Sequence, residues 1–140
     1  MRTITLIVIH CSAVRLNQTS SAKDIESWHK DRGFKCIGYH YVIRRDGSIE
    51  LGRPEWMIGA HCVNHNAHSI GICYEGGYNI RGQPDDTRTP EQKQTMRRLL
   101  EQLHERYPRA MIVGHRDLNP GKDCPGYKNV AKEYWDLQPK

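Results

Sequence analysis

Short apolar runs alternate along the chain with segments whose apolar positions recur at helical spacing. The runs at 6–9, 69–75 and 111–113 are rich in β-branched residues and predict buried strands. The segments 39–44 and 49–52, joined by a turn that contains glycine, predict a β-hairpin. Strands that alternate with helices favour an α/β fold in which a mixed central β-sheet is flanked by helices.

Helix start signals precede two of the amphipathic segments. Ser21 with Asp24, and Thr89 with Gln92, have the spacing of capping boxes. They predict a helix over about 23–32, closed by Gly33, and a longer helix that runs to about 107. A last helix is expected over about 129–135. The apolar positions of the first two helices are Ile25, Trp28, His29, Met96, Leu99, Leu100 and Leu103.

Length and charge narrow the classes of protein. The 140 residues suit a single domain over 1–140. The net charge of +5 is spread along the chain, and no basic block with interleaved aromatic residues is present, so we expect no nucleic-acid partner. The run at 6–9 is too short for a membrane span or the core of a signal peptide. We therefore expect no membrane partner, a monomer, and synthesis in the cytoplasm without a signal peptide.

Histidines follow two of the predicted strands. His10 and His115 each stand where an apolar run ends, and ligands in α/β sheets gather at the carboxyl ends of strands. Cys124 follows His115 across a loop that contains Pro120 and Gly121. Two imidazoles and one thiolate are a zinc donor set, and three protein ligands leave the fourth position open, as in catalytic sites. The spacing matches no short zinc motif, so ordinary capped histidines and a buried thiol remain an open interpretation.

Six short motifs occur in an order that resembles one family. They are IHCSA at 9–13, GYHY at 38–41, RDG at 45–47, NAHSIG at 66–71, GHRD at 114–117 and KDCP at 122–125. Together they resemble the zinc-dependent N-acetylmuramoyl-L-alanine amidases, including the short phage lysozymes that are amidases, and their relatives the peptidoglycan recognition proteins. The resemblance covers about residues 4–135.

The resemblance implies roles for single residues. His10, His115 and Cys124 would bind Zn²⁺, Tyr39 and Lys122 would be catalytic, and His61 would face the substrate.

The implied reaction is hydrolysis of the amide between the lactyl group of N-acetylmuramic acid and L-alanine in peptidoglycan. Zinc would polarise the carbonyl and acidify water, and the Lys122 ammonium would stabilise the negative charge of the tetrahedral intermediate. The protein would act on the cell wall after release or export by another route.

Two other functions stay open at this point. A non-catalytic module of the same fold would bind peptidoglycan or a protein partner, although Tyr39 and Cys124 favour catalysis. A metal-independent cysteine hydrolase would pair Cys11 with His10, but successive side chains of a strand point to opposite faces. The strand therefore argues against that dyad.

Overall fold

A five-stranded mixed sheet forms the centre of the computed structural model, which describes residues 2–140. Its strand order is β4-β3-β5-β1-β7, and β2 pairs with β6 in a separate two-stranded sheet. Short 3-10 helices lie at Asn66–His68 and Trp135–Leu137. The other elements, in chain order, are β1 (Leu6–Cys11), β2 (Val14–Arg15), α1 (Ala22–Asp31), β3 (Tyr41–Ile43), β4 (Ile49–Leu51), β5 (Ser69–Tyr74), β6 (Gly77–Tyr78), α2 (Pro90–Arg106), β7 (Met111–Gly114), α3 (His115–Leu118) and α4 (Val130–Glu133).

The central strand β1 runs parallel to both of its neighbours. It pairs with β5 on one side and with β7 on the other, while β3 and β4 form the antiparallel hairpin at the far edge. In the β1–β7 pair, Ile9 lies opposite Gly114. A histidine follows each of these two residues in the chain, so this register places His10 and His115 at the same carboxyl edge of the sheet.

Helices cover the two faces of the sheet. One face packs on α2 and on α4 through a large apolar core that includes Ile7, Ile9, Ile72, Leu100 and Val130. A smaller cluster joins Ile25 of α1 to Val42 and Cys73 on the other face. Side chains alternate along a strand, so His10 points away from the Ile9 face and towards the side of the sheet that α1 covers. The predicted α/β fold with a mixed central sheet is confirmed.

Both predicted capping boxes are present. The Ser21 hydroxyl accepts a hydrogen bond from the backbone N–H of Asp24, and the Asp24 side chain accepts one from the backbone N–H of Ser21. Thr89 and Gln92 form the same pair of bonds. Gly33 follows α1 with a φ of +95°, a backbone conformation that favours glycine. Of the positions assigned to one face of this helix, Ile25 and His29 are buried, whereas Trp28 is 42% exposed. It borders a cavity next to the metal-donor residues and does not join the core.

The ends of several elements differ from the predictions. Strand β1 includes His10 and Cys11, and β3 begins at Tyr41, so Tyr39 and His40 precede the hairpin. The single helix predicted at 129–135 is instead the short α4 followed by a 3-10 turn, because Tyr134 ends α4 and packs into the core. Among the described residues, no helix is long and apolar enough to cross a membrane.

Candidate metal centre

Three side chains that are distant in sequence meet at the carboxyl edge of the sheet. His10, His115 and Cys124 offer ligand atoms that all lie within 4.8 Å of one another. His10 comes from β1, His115 begins α3 directly after β7, and Cys124 lies in the loop between α3 and α4. The structure thus brings together the three residues that the sequence and the resemblance nominated as metal ligands.

The spacing of the donors fits a metal ion of the size of zinc. The Nδ1 atom of His10 lies 3.7 Å from the Sγ atom of Cys124. In a tetrahedral site with a Zn–N distance of about 2.0 Å and a Zn–S distance of about 2.3 Å, these two atoms would be about 3.5 Å apart. The donor set is nitrogen and sulfur, which suits zinc better than magnesium or calcium. The residues present therefore fit the implied ion.

The backbone of β1 holds the sulfur in place. The N–H of Cys11 donates a hydrogen bond to Cys124 Sγ at 3.2 Å. The loop is anchored at a second point, where the N–H of Arg116 donates to the carbonyl of Cys124 at 2.9 Å. The sulfur therefore sits beside the central strand although the loop around it is largely exposed.

The histidines of the site are poised as neutral ligands. Burial, together with the neighbouring imidazoles of His61 and His115, holds the pKa of His10 well below its ordinary value. Burial and the Lys122 charge also lower the pKa of His115. The pKa of the Cys124 thiol is raised by its hydrogen bond with the Cys11 side chain and by burial. A bound cation would reverse this last effect, because metal coordination deprotonates a thiol.

His61 lies directly behind His10. Its Nδ1 atom is 2.9 Å from His10 Nε2, and its Nε2 atom is 3.1 Å from Ser69 Oγ. The ring also borders the larger of two cavities beside the donors. Both of its nitrogens already have partners in the protein, so its predicted contact with substrate would be through ring carbons.

Tyr39 and Lys122 lie close to the donor set. The Tyr39 ring centroid lies 5.0 Å from that of His10, and burial raises the pKa of the phenol well above its ordinary value. Tyr39 is thus a neutral O–H donor at pH 7. Lys122 is exposed, and its backbone N–H donates to Asn119. Both residues border the two cavities next to the donors.

Two cavities flank the donors. One has a volume of about 630 Å³ and lies towards the 60–66 loop, and the other has a volume of about 400 Å³ and lies towards α1 and Tyr78. Both are bordered by Arg32, Tyr39, His115 and Lys122. No carboxylate of the described residues borders the larger cavity, and Arg32 and Lys122 make it electropositive. A ligand that extends on both sides of the donors would fit this arrangement.

A third cavity of about 670 Å³ shares no bordering residue with these two. Its carboxylate, Glu55, already accepts hydrogen bonds from Tyr41 and Tyr107 and pairs with Arg106. The charged and hydroxyl groups of this cavity are thus bonded to one another, and no set of metal donors among residues 2–140 meets there. The three metal-donor residues border the other two cavities.

Some residues of the site were not predicted from the sequence. Arg32, immediately after α1, lies over the ring of Phe34 at 5.2 Å from its centroid, and both residues border the larger cavity. A charged residue that follows a helix looks like any solvent-exposed cation, so only the fold indicates its place. Two other arginines do not border these two cavities: Arg44 pairs with Glu50 and Glu75, and Arg53 is buried.

An α/β sheet with a three-donor site at its carboxyl edge, open to two cavities, has the arrangement of a catalytic metal centre. The family model described as N-acetylmuramoyl-L-alanine amidase matches residues 1–127. The chain therefore belongs to the N-acetylmuramoyl-L-alanine amidase family, and the predicted family and enzyme class are confirmed.

Individual relatives agree with this assignment. The chain is 39% identical over 119 residues to the endolysin of Enterobacteria phage K11, covering 85% of this chain and 78% of the relative. It is 32% identical over 132 residues to peptidoglycan-recognition protein SC2 of Drosophila melanogaster, covering 88% and 68%. The solved structure of the N-acetylmuramoyl-L-alanine amidase LysC from Clostridium intestinale superposes with a TM-score of 0.82 at 31% identity, covering 99% of this chain and 88% of that one.

Proposed function

We propose that this protein is a zinc-dependent amidase that hydrolyses the bond between N-acetylmuramic acid and L-alanine in peptidoglycan. The observation that carries the proposal is the meeting of His10, His115 and Cys124 within 4.8 Å, between two cavities. Residues 1–140 would form one amidase domain that works as a monomer.

Zinc bound at these donors would act as a Lewis acid, which would polarise the amide carbonyl and lower the pKa of water so that hydroxide is available to attack at neutral pH. The other steps fall to side chains of the chain itself. Lys122 borders both cavities and carries a charge that would stabilise the oxyanion of the tetrahedral intermediate. Tyr39, whose raised pKa keeps it protonated, would donate a hydrogen bond at the reacting atoms or pass its proton to the leaving amine.

The shape and charge of the site support a peptidoglycan substrate. The scissile amide lies between a sugar and a peptide, so its two sides would occupy the two cavities that flank the donors. The cations Arg32 and Lys122 would attract the carboxylates of a stem peptide. The relatives named endolysin support action on the cell wall after release.

The test combines metal content with product analysis. We expect about one zinc per chain and release of stem peptides from purified cell walls, with new muramic acid lactyl groups that carry a free carboxylate. A chelator should abolish the release and added zinc should restore it. Folded protein that cleaves the wall after complete removal of metal would contradict the proposal and favour a cysteine hydrolase.

A non-catalytic binding role is the second candidate, because one relative is named a peptidoglycan-recognition protein. Zinc-loaded protein that binds purified wall but leaves the mass of every muropeptide unchanged would favour it. The same assay therefore separates all three functions.

A further inference from the structure

The imidazole of His61 joins the metal-donor residue His10 to the strand β5. Its Nδ1 atom lies 2.9 Å from His10 Nε2, and its Nε2 atom lies 3.1 Å from the hydroxyl of Ser69, the first residue of β5. His10 itself is fully buried, so its Nε2 atom has no access to water. His61 is the hydrogen-bond partner of that atom.

The geometry determines which way the hydrogen bonds must run when a metal is bound. The His10 atom that faces the sulfur of Cys124 is Nδ1, so His10 would bind a metal through Nδ1 and would carry its ring proton on Nε2. His10 Nε2–H then donates to His61 Nδ1, and His61 Nε2–H donates to Ser69 Oγ. Neutral imidazoles satisfy each of these bonds.

We propose that His61 is a positioning residue that fixes the tautomer and orientation of His10 for metal binding. The inference rests on the proposed metal site and goes beyond it, because the family resemblance implies only that His61 faces the substrate. Histidine ligands commonly donate their second N–H to such an acceptor, and loss of the acceptor weakens metal affinity by about 10- to 100-fold.

The protein has a slot shaped for this ring. An added Cβ at Gly71 would stand 2.6 Å from His61 Cγ, and one at Gly59 would stand 2.7 Å from His61 Cδ2. Both distances are too short for any other residue without a shift of the ring. The side-chain oxygen of Asn66 accepts from the backbone N–H groups of both His61 and Cys62, which fixes the start of the loop. The ring position is therefore determined by packing and not by a substrate.

A matched pair of variants isolates the acceptor. His61→Asn places an amide oxygen near the position of Nδ1. His61→Leu has a side chain of nearly the same shape as asparagine, but it offers no hydrogen-bond acceptor. His61→Gln places its amide near Nε2 and also leaves His10 without a partner. His68→Leu, which removes a histidine that does not border the two cavities, controls for unspecific binding of zinc to imidazoles.

The measurement is zinc affinity, by competition with a chromogenic chelator, and the visible spectrum of the cobalt-substituted protein. Melting curves of the metal-free variants establish that each is folded. We expect His61→Leu and His61→Gln to bind zinc about 10- to 100-fold more weakly and to show an altered cobalt spectrum. His61→Asn should recover most of the affinity, and His68→Leu should match the wild type.

Equal zinc affinity in wild type, His61→Leu and His61→Gln would overturn the inference and leave the proposed amidase function intact. Equal losses in His61→Asn, His61→Leu and His61→Gln would also overturn it, since only ring packing would then matter. If His61→Leu does not fold, the comparison of His61→Asn with His61→Gln decides the same point. A wild-type protein that binds no zinc would overturn the inference and the proposed function together.

Discussion

The backbone N–H of Cys11 donates to the sulfur of Cys124 at 3.2 Å, across 113 positions of sequence. This bond links the central strand to the loop that follows α3, and it aims the sulfur at the space beside His10. An N–H donor favours the charged form of its acceptor, so the same bond supports the thiolate that a metal needs. The candidate site is thus held together by main chain as well as by its side chains.

Replacement of the sulfur should remove metal and activity together. Cys124→Ala leaves two imidazoles, which are too few to hold zinc in a catalytic site, so we expect less than about a tenth of the wild-type zinc content after dialysis and no wall hydrolysis. Elemental analysis and a wall-clearing assay measure both. Cys36→Ala, at a cysteine outside both cavities, is the control and should retain both. An active, zinc-free Cys124→Ala protein would refute the role of the sulfur.

Loss of the Lys122 charge should slow catalysis without loss of metal. The ammonium borders the cavities and is not among the donors, so Lys122→Ala should keep full zinc content while kcat falls by roughly 100-fold, as for other oxyanion-stabilising groups. Lys128→Ala, at an exposed lysine that does not border the cavities, should match the wild type. Similar kcat values for the two variants would assign Lys122 to the solvated surface.

Removal of one oxygen at Tyr39 tests the proton donor. Tyr39→Phe keeps the ring that packs beside His10, so we expect unchanged zinc content and a fall in kcat of about 100-fold or more, as for loss of a general acid. Tyr107→Phe removes a hydroxyl that bonds Glu55 at the third cavity and should leave kcat near the wild-type value. Full activity of Tyr39→Phe would exclude the phenol from the reaction.

The metal-free protein should lose stability as pH falls below about 6.5. Burial lowers the pKa of His61 to about 3 and that of His10 well below 6.5, so the unfolded chain binds protons that the folded chain does not. The free energy of unfolding therefore rises with pH, by up to about 1.4 kcal/mol per pH unit for each histidine, until both states are neutral above about pH 6.5.

Urea unfolding between pH 6.5 and 5 measures this slope before most carboxylates titrate. His61→Leu should show a shallower slope than the wild type, because one of the depressed groups is gone. Parallel stability curves for the two proteins would mean that His61 titrates alike in the folded and unfolded states.

Much of the fold is predictable from the sequence because buried strands and helix starts each leave a local signal in the chain. The apolar runs of β1, β5 and β7 are local signals of buried strands, and the capping boxes at Ser21 and Thr89 are local signals of helix starts. The prediction of a single helix over about 129–135 is wrong, because Tyr134 and Leu137 enter the core from a shorter helix and a 3-10 turn. The spacing of apolar residues alone does not distinguish one long helix from a short helix followed by a 3-10 turn.

The candidate site was only partly accessible from sequence. The strand-end positions of His10 and His115 were visible, but their approach depends on the register that sets Ile9 opposite Gly114. The placement of Cys124 depends on a hydrogen bond across 113 positions, and its spacing from His115 matches no short zinc motif. The contact of His61 with His10 joins a loop to a strand, and such contacts have no local pattern.

Anomalous diffraction at the zinc absorption edge, from a crystal of the zinc-loaded protein, would locate the ion without assumptions about its ligands. We expect one strong peak at about 2.0–2.3 Å from His10 Nδ1, from an imidazole nitrogen of His115 and from Cys124 Sγ. A well-ordered crystal with zinc bound only at other residues, and with no peak among these three atoms, would contradict this expectation.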